Sequence, residues 1–251
     1  MMKISIITAT FQSARTLRDT IDSVRRQTWS DIEHIIVDGG SSDDTLSIVA
    51  QHAHLQKVSS GPDRGIYDAM NKGIGMAEGE VIGILNSDDF YADERVIQDI
   101  VERFRDPDVD AVYGDLDYIA PEDSSRVTRR WKAGSYQAGS FRWGWMPPHP
   151  AFFVRRRLYE KHGGFNLDMG TCGDYELMLR MVHRHGARLA YIPRTLVKMR
   201  AGGASNASME ARLKANLNDR LAWTVNGMKP YWFTLWLKPL RKIGQFLPIH
   251  S

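Results

Sequence analysis

An α/β fold built on a largely parallel sheet is predicted by three features. Short β-branched runs alternate with segments of helical periodicity, the runs end in turns rich in Asp, Gly and Ser, and this cycle repeats through the first 120 residues. The 251 residues, 43% hydrophobic and 25% charged, suit one large globular domain and argue against disorder.

Ile4–Thr10 and Ile32–Val37 read as strands, and Leu17, Ile21 and Val24 recur between them at helical spacing. A second cycle follows, with a helix over Thr45–His54, a strand over Leu55–Val58 and a helix over Ile66–Ala77 after the turn Gly61-Pro62-Asp63-Arg64-Gly65. Val81–Leu85 is nearly all apolar, as a buried parallel strand should be, and it halts at Asn86-Ser87-Asp88-Asp89. A helix over Glu94–Phe104 then leads to a strand over Ala111–Ile119. Beyond residue 120 the rhythm changes. Pro121–Ser125 is a turn-rich break, Val127–Trp131 an edge or hairpin strand, and Ala151–Val154 a further strand. Arg156–His162 and Tyr175–His185 read as helices ended by glycine, Arg188–Ile192 as a strand, and Met209–Asn226 as a helix with Leu213, Leu217 and Leu221 on one stripe.

The formal charge of +3 conceals two unlike halves. Residues 1–123 carry 11 basic and 24 acidic side chains, and residues 124–251 carry 22 and 6. A lone Cys172 excludes an internal disulfide and a Cys-based zinc site, which fits a reducing cytosol. The apolar run Ile4–Thr8 is too short for a secretion signal, and Pro230–Leu237 has eight residues where a bilayer span needs about 20. A cytoplasmic protein is expected.

In parallel α/β sheets, ligands bind outside the carboxyl ends of strands. Three predicted strand ends carry aspartates: Asp38, Asp63 and the pair Asp88-Asp89. Asp38 could organise an Asx turn, and Asp43 and Asp44 are explained by capping the next helix. Two adjacent carboxylates at the end of an apolar strand repel each other, so Asp88 and Asp89 need a cation or a hydrogen-bond network. Mg²⁺ and Mn²⁺ take such oxygen ligands.

The ordered motifs are more specific than any one of them. Ile4-Ser5-Ile6-Ile7-Thr8-Ala9-Thr10, Val37-Asp38-Gly39-Gly40-Ser41-Ser42-Asp43-Asp44, Asp63-Arg64-Gly65-Ile66-Tyr67-Asp68-Ala69-Met70-Asn71-Lys72-Gly73 and Leu85-Asn86-Ser87-Asp88-Asp89 resemble the family 2 glycosyltransferases, which have the GT-A fold. The resemblance continues through His149-Pro150, Gly163-Gly164-Phe165-Asn166 and Gly173-Asp174-Tyr175-Glu176, so that it covers about residues 3–206.

That resemblance implies a Rossmann-like nucleotide-binding sheet flanked by helices, with a mixed acceptor-side extension. It implies a nucleotide-sugar site at Thr8, Thr10, Asp38, Asp63, Arg64, Asn86, Ser87 and Asp88. Asp89 would be the principal ligand of Mn²⁺ or Mg²⁺, with Asp88 near it and His149 a further candidate. Asn86 stands where the family's acidic motif usually begins with Asp, leaving one charge fewer. The catalytic base would be Asp174, with Gly173 replacing the family's Glu; an N-cap is the competing role for Asp174. Arg200 and Ser205, around Gly202-Gly203, match a loop that closes over the diphosphate. Cys172 reads as an inert thiol.

The second half adds a basic, aromatic surface. Residues 124–161 hold nine Arg and Lys against Glu160 alone, and six of the seven Trp follow residue 130. No nucleic-acid motif accompanies them. The segment Tyr231–Lys242 mixes aromatic and basic residues as an anionic-membrane anchor would, or else docks on the domain. The expected organisation is a GT-A domain over 1–206, with a donor side to about 120 and an acceptor side beyond, followed by a tail over 207–251. The expected activity is inverting transfer from a nucleotide sugar to a saccharide or lipid-linked saccharide, in surface-polysaccharide or lipopolysaccharide assembly at the inner face of the membrane. A sugar-phosphate nucleotidyltransferase and a noncatalytic membrane scaffold are the rival readings.

Overall fold

The computed structural model describes residues 1–55, 57–202, 218–240 and 245. Strands β1 (Ile4–Thr10), β2 (Ile32–Asp38), β3 (Lys57–Ser60) and β4 (Val81–Ile84) are separated by helices α1 (Leu17–Arg25), α2 (Thr45–Ala50) and α3 (Ile66–Met76). Then come β5 (Phe90–Tyr91), α4 (Val96–Phe104), β6 (Ala111–Ala120), β7 (Asp123–Trp131), β8 (Phe152–Arg155), α5 (Arg156–His162), α6 (Gly173–Met178) and β9 (Leu189–Arg200). Residues 218–225 form α7, and Thr234–Leu240 form α8.

One mixed sheet runs in the order β3-β2-β1-β4-β8-β6-β9-β5, with β7 on β6. The first four strands are parallel, as the alternation predicts. β8 joins the halves antiparallel to both β4 and β6, and β6 lies parallel to β9. Side chains alternate across this sheet. Ile7 and Ala9 enter one core with Met70 of α3 and Leu177 of α6; Ile4 and Ile6 enter the other with Ile97 and Ile100 of α4. α3 lies so close to β1 that a Cβ on Gly73 would come within 2.4 Å of the Ile7 side chain.

Several boundaries differ from expectation. β9 has 12 residues rather than five, because it keeps its pairing with β6 almost to the end of that strand. β7 opens at Asp123, which pairs with Ala120, so only 121 and 122 form the turn. The helix expected over Tyr175–His185 opens at Gly173 and becomes a π-helix over Leu179–Arg184. Most of the expected stripe Leu213–Leu221 lies outside the described residues.

The described C-terminal helices pack against α6 and the segment before β8. Trp223 is fully buried and donates its indole N–H to the Tyr175 hydroxyl at 2.9 Å. Lys238 reaches Asp219 at 2.6 Å and lies 3.8 Å from the Tyr175 ring centroid. A Cβ on Gly144 would stand 2.6 Å from the Lys238 backbone nitrogen, so α8 rests directly on that glycine.

Candidate active site at the strand ends

The turns after β1, β2 and β4 are laced together. Gln12 and Ser13 receive or donate hydrogen bonds to Ser41, Ser42, Asp43 and Thr45 beyond β2, while the Ser13 and Ser87 hydroxyls meet at 2.8 Å. Asp43 accepts from the Thr45 backbone N–H at 3.1 Å, the local role its position predicts.

Asp38 organises the second of these turns. Its Oδ2 accepts from the Gly40 and Ser41 backbone N–H groups, both at 3.0 Å, and from the Ser60 hydroxyl at 2.7 Å; Oδ1 accepts from the Ser41 hydroxyl at 2.5 Å. Burial works against the charge, yet those four bonds hold its carboxyl below the ordinary range. Its acceptor capacity is spent on the loop. Thr8 is corrected outright: it is fully buried inside the sheet, with its hydroxyl 3.0 Å from His34 Nε2, and cannot touch a nucleotide. The Thr10 hydroxyl is sealed from solvent without a partner.

Around this turn the accessible groups are Asp63, Arg64 and Phe11. Asp63 Oδ1 accepts from the Gly65 N–H at 2.8 Å. Its Oδ2 would lie 2.6 Å from any Cβ at Gly39, and that same Cβ would stand 3.4 Å from the Phe11 ring, so only glycine at 39 admits this arrangement. Phe11 is 62% exposed at the end of β1, an aromatic face that the sequence analysis missed. The signal was available: an apolar aromatic in a polar strand-end turn has no core to enter. Arg64 is exposed and pairs loosely with Asp68 at 3.4 Å.

At the β4 turn the two carboxylates separate. Asp89 is fully buried; its Oδ2 accepts from the Asn86 amide at 2.9 Å, whereas Oδ1 has no partner. Burial, and then the charge of Asp88, raises its pKa well above the ordinary value. Asp88 is half-buried, and burial raises its pKa too. Arg200 does not lie on a loop: it ends β9, donating to the Asp88 carbonyl at 2.7 Å and to Asp19, with its guanidinium 5.1 Å from the Phe90 ring centroid. It therefore staples the acidic turn from behind. Ser205 lies outside the described residues.

Asp174 occupies the first turn of α6, partly exposed, with Cys172 rather than Asp174 at the N-cap position. The Tyr67 hydroxyl donates to its Oδ1 at 3.4 Å. His149 is buried, which lowers its pKa, and the charged group acting on it is Asp174. Its ring meets Phe165 edge-on at 5.6 Å. These neighbours set His149 within the electrostatic reach of the expected base. Cys172 is buried and pushed up to about 12, chiefly by that burial, so it is no nucleophile.

Among the described residues, no three His, Cys, Asp or Glu side chains gather into a metal cluster. Mg²⁺ and Mn²⁺ commonly bind through one or two protein carboxylates, with substrate phosphates completing the shell. Asp88 and Asp89, with the unpartnered buried oxygen, fit such a partial donor set.

A parallel half with an acidic strand-end turn, extended by a mixed half in which β8 runs antiparallel and β9 parallel to β6, is the GT-A arrangement. The family model described as Glycosyl transferase family 2 matches residues 5–168. A glycosyltransferase of Mycobacterium tuberculosis is 34% identical over 182 residues, covering 70% of this chain and 68% of the relative. A PGL/p-HBAD biosynthesis glycosyltransferase of Mycobacterium bovis is 35% identical over 185 residues, with 70% and 68% covered. The chain belongs to glycosyltransferase family 2, which displaces the nucleotidyltransferase and scaffold readings.

Among solved structures, Staphylococcus aureus TarS in complex with UDP-GlcNAc superposes with a TM-score of 0.67 at 18% identity, covering 86% of this chain and 65% of that one. The mannosyltransferase PcManGT from Pyrobaculum calidifontis, in complex with GDP-Man and Mn²⁺, gives 0.66 at 20% identity, with 95% and 72% covered. This chain thus spans just under two thirds of the TarS chain.

Proposed function

We propose that the protein transfers a sugar, with inversion, from a nucleotide-sugar donor to a hydroxyl of a saccharide or lipid-linked saccharide acceptor. The observation that carries this reading is the contact path from the Asp63 turn to α6: Asp63 accepts from the Gly65 N–H at the start of α3, and Tyr67, two residues on, donates to Asp174 at 3.4 Å.

In this reading Asp174 accepts the acceptor hydroxyl's proton as that oxygen bonds to the anomeric carbon, and the bond to the nucleoside diphosphate breaks on the opposite side. Asp63, Arg64 and the Phe11 face receive the nucleotide, with Asp38 holding their loop. A divalent cation at Asp88 and Asp89 supplies positive charge to the diphosphate when bound. Asp88, the more accessible of the two carboxylates, would hold the ion together with Asp89. The complexes of TarS with UDP-GlcNAc and of PcManGT with GDP-Man and Mn²⁺ support donors of the UDP- or GDP-sugar kind, and the latter supports Mn²⁺.

Asp174→Asn tests the base. Donor affinity by calorimetry with Mn²⁺ should stay unchanged while transfer falls at least 100-fold, the scale of general-base loss; near-normal transfer would remove Asp174 from the mechanism.

We also infer an anionic bilayer as a surface partner. Trp143, Trp232 and Trp236 are 54%, 87% and 70% exposed, beside the exposed Tyr231 and Lys229. Amphipathic aromatics among cations suit a lipid interface. No described helix is long and apolar enough to cross a membrane. Deleting 230–251 would also uncover Gly144 and Tyr175, so the informative variant is Trp232→Ser with Trp236→Ser. It should lose sedimentation with anionic liposomes and keep its melting temperature; undiminished sedimentation would contradict the inference.

A further inference from the structure

The segment Ile66–Gly73 has no part in the reaction as described, although it follows the donor turn directly. We propose that Tyr67 is the positioning residue of the catalytic base, fixing one oxygen of Asp174 so that the other faces the acceptor, and that Gly173 exists to admit its ring. This rests on the reading of Asp174 as base.

Three contacts converge on it. The Tyr67 hydroxyl donates to Asp174 Oδ1 at 3.4 Å. A Cβ on Gly173 would stand 2.8 Å from Tyr67 Cε2, 2.9 Å from Cδ2 and 3.0 Å from Cζ, so any other residue must displace the ring. The replacement of the family's Glu by Gly173 is therefore matched by an aromatic ring filling the vacated space. On its other side the ring stacks on Phe165, centroids 5.2 Å apart and planes at 17°.

Phe165 is itself held from α3. One helical turn after Tyr67, and so on the same face, Asn71 donates to the Phe165 carbonyl at 2.9 Å and accepts from its backbone N–H at 2.8 Å. A Cβ on Gly164 would fall 2.2 Å from the Asn71 amide oxygen, so this clasp also requires glycine. Tyr67 and Asn71 thus grip the acceptor half from the helix whose N-terminus is the donor turn, where Asp63 bonds Gly65. Only three residues separate Asp63 from Tyr67. The phenol keeps its proton for this bond, because burial and then the charge of Asp174 raise its pKa.

The test compares Tyr67→Phe, Gly173→Ala and Asp174→Asn in steady-state kinetics, with donor affinity and melting temperature measured on each. Tyr67→Phe should lower kcat about tenfold, the worth of one orienting hydrogen bond, with donor KM and melting temperature unchanged. Gly173→Ala should lower kcat in the same way by displacing the ring. In the Asp174→Asn background, Tyr67→Phe should cost nothing more. If Asp174→Asn is inactive but Tyr67→Phe and Gly173→Ala keep kcat within twofold of the parent, the positioning role is overturned and the base stands. If Asp174→Asn transfers normally, the base reading itself is wrong and this inference goes with it.

Discussion

Two turns on neighbouring sides of β1 carry a buried aspartate each, and they solve the same problem oppositely. Asp38, ending β2, meets four hydrogen-bond donors and is held ionised. Asp89, just beyond β4, accepts from the Asn86 amide, leaves Oδ1 unpartnered and is pushed towards its neutral form by burial and by Asp88, against the smaller opposing influence of Arg200. Both positions attract attention for the same sequence reason. The structure teaches that a satisfied carboxylate there builds the loop, whereas an unsatisfied one leaves capacity for a ligand that brings its own charge.

Isosteric replacements break the comparison most directly. Asp38→Asn puts an amide N–H among donors and should destabilise the fold by about 3 kcal/mol, the scale of a broken buried ionic network. Asp89→Asn removes a buried, underpaired charge; its stability should stay the same or rise by up to about 1 kcal/mol, while Mn²⁺-dependent donor binding is lost. Denaturant titration without metal, and calorimetry with it, read the two effects; equal destabilisation by both variants would erase the distinction.

A somewhat smaller effect concerns His34, within the same parallel half. Burial first, then His54 and His52, push its pKa down to about 3, and its Nδ1 has no partner. The unfolded chain takes up a proton below about pH 6.5 while the folded chain does not until about 3. Stability from this group is thus present above that window and is lost as pH falls through it, about 2 kcal/mol between pH 7 and 5. Melting curves of His34→Gln should show a flatter acid slope than the parent; parallel slopes would refute the assignment. Smallest is Phe11→Ala, which should leave stability unchanged and weaken donor binding about tenfold through lost stacking on the base, at roughly 1–3 kcal/mol per stacked base. Unchanged affinity in calorimetry would show that the exposed ring serves something else.

The parallel half was legible because its strands are buried on both faces and its helices carry one apolar stripe, patterns that depend only on local spacing. β5 was not, since two residues carry no period. The register of β9 was hidden for another reason: its last residues are strand because β6 is beside them, and that partner is 80 residues away in sequence. Arg200 was misread as a loop residue on that account. Adjacent Asp88 and Asp89 look alike in a sequence, and which one turns inward is set by the tertiary contacts of the turn. Thr8 illustrates the converse: its place in a family motif was readable, but its burial against His34 depends on the neighbouring strand. The clasp of Tyr67 and Asn71 on residues 164–174 joins segments about 100 positions apart, so only the Gly173 departure from the family pattern hinted at it.

The seat of α8 on Gly144 bears on how the enzyme comes into being. α6, the helix that bears Asp174, receives part of its cover from Trp223 and Lys238, residues translated after the entire sheet. The cover of α6 is thus supplied by helices that follow the entire sheet in sequence, so that helix is complete only when both have docked.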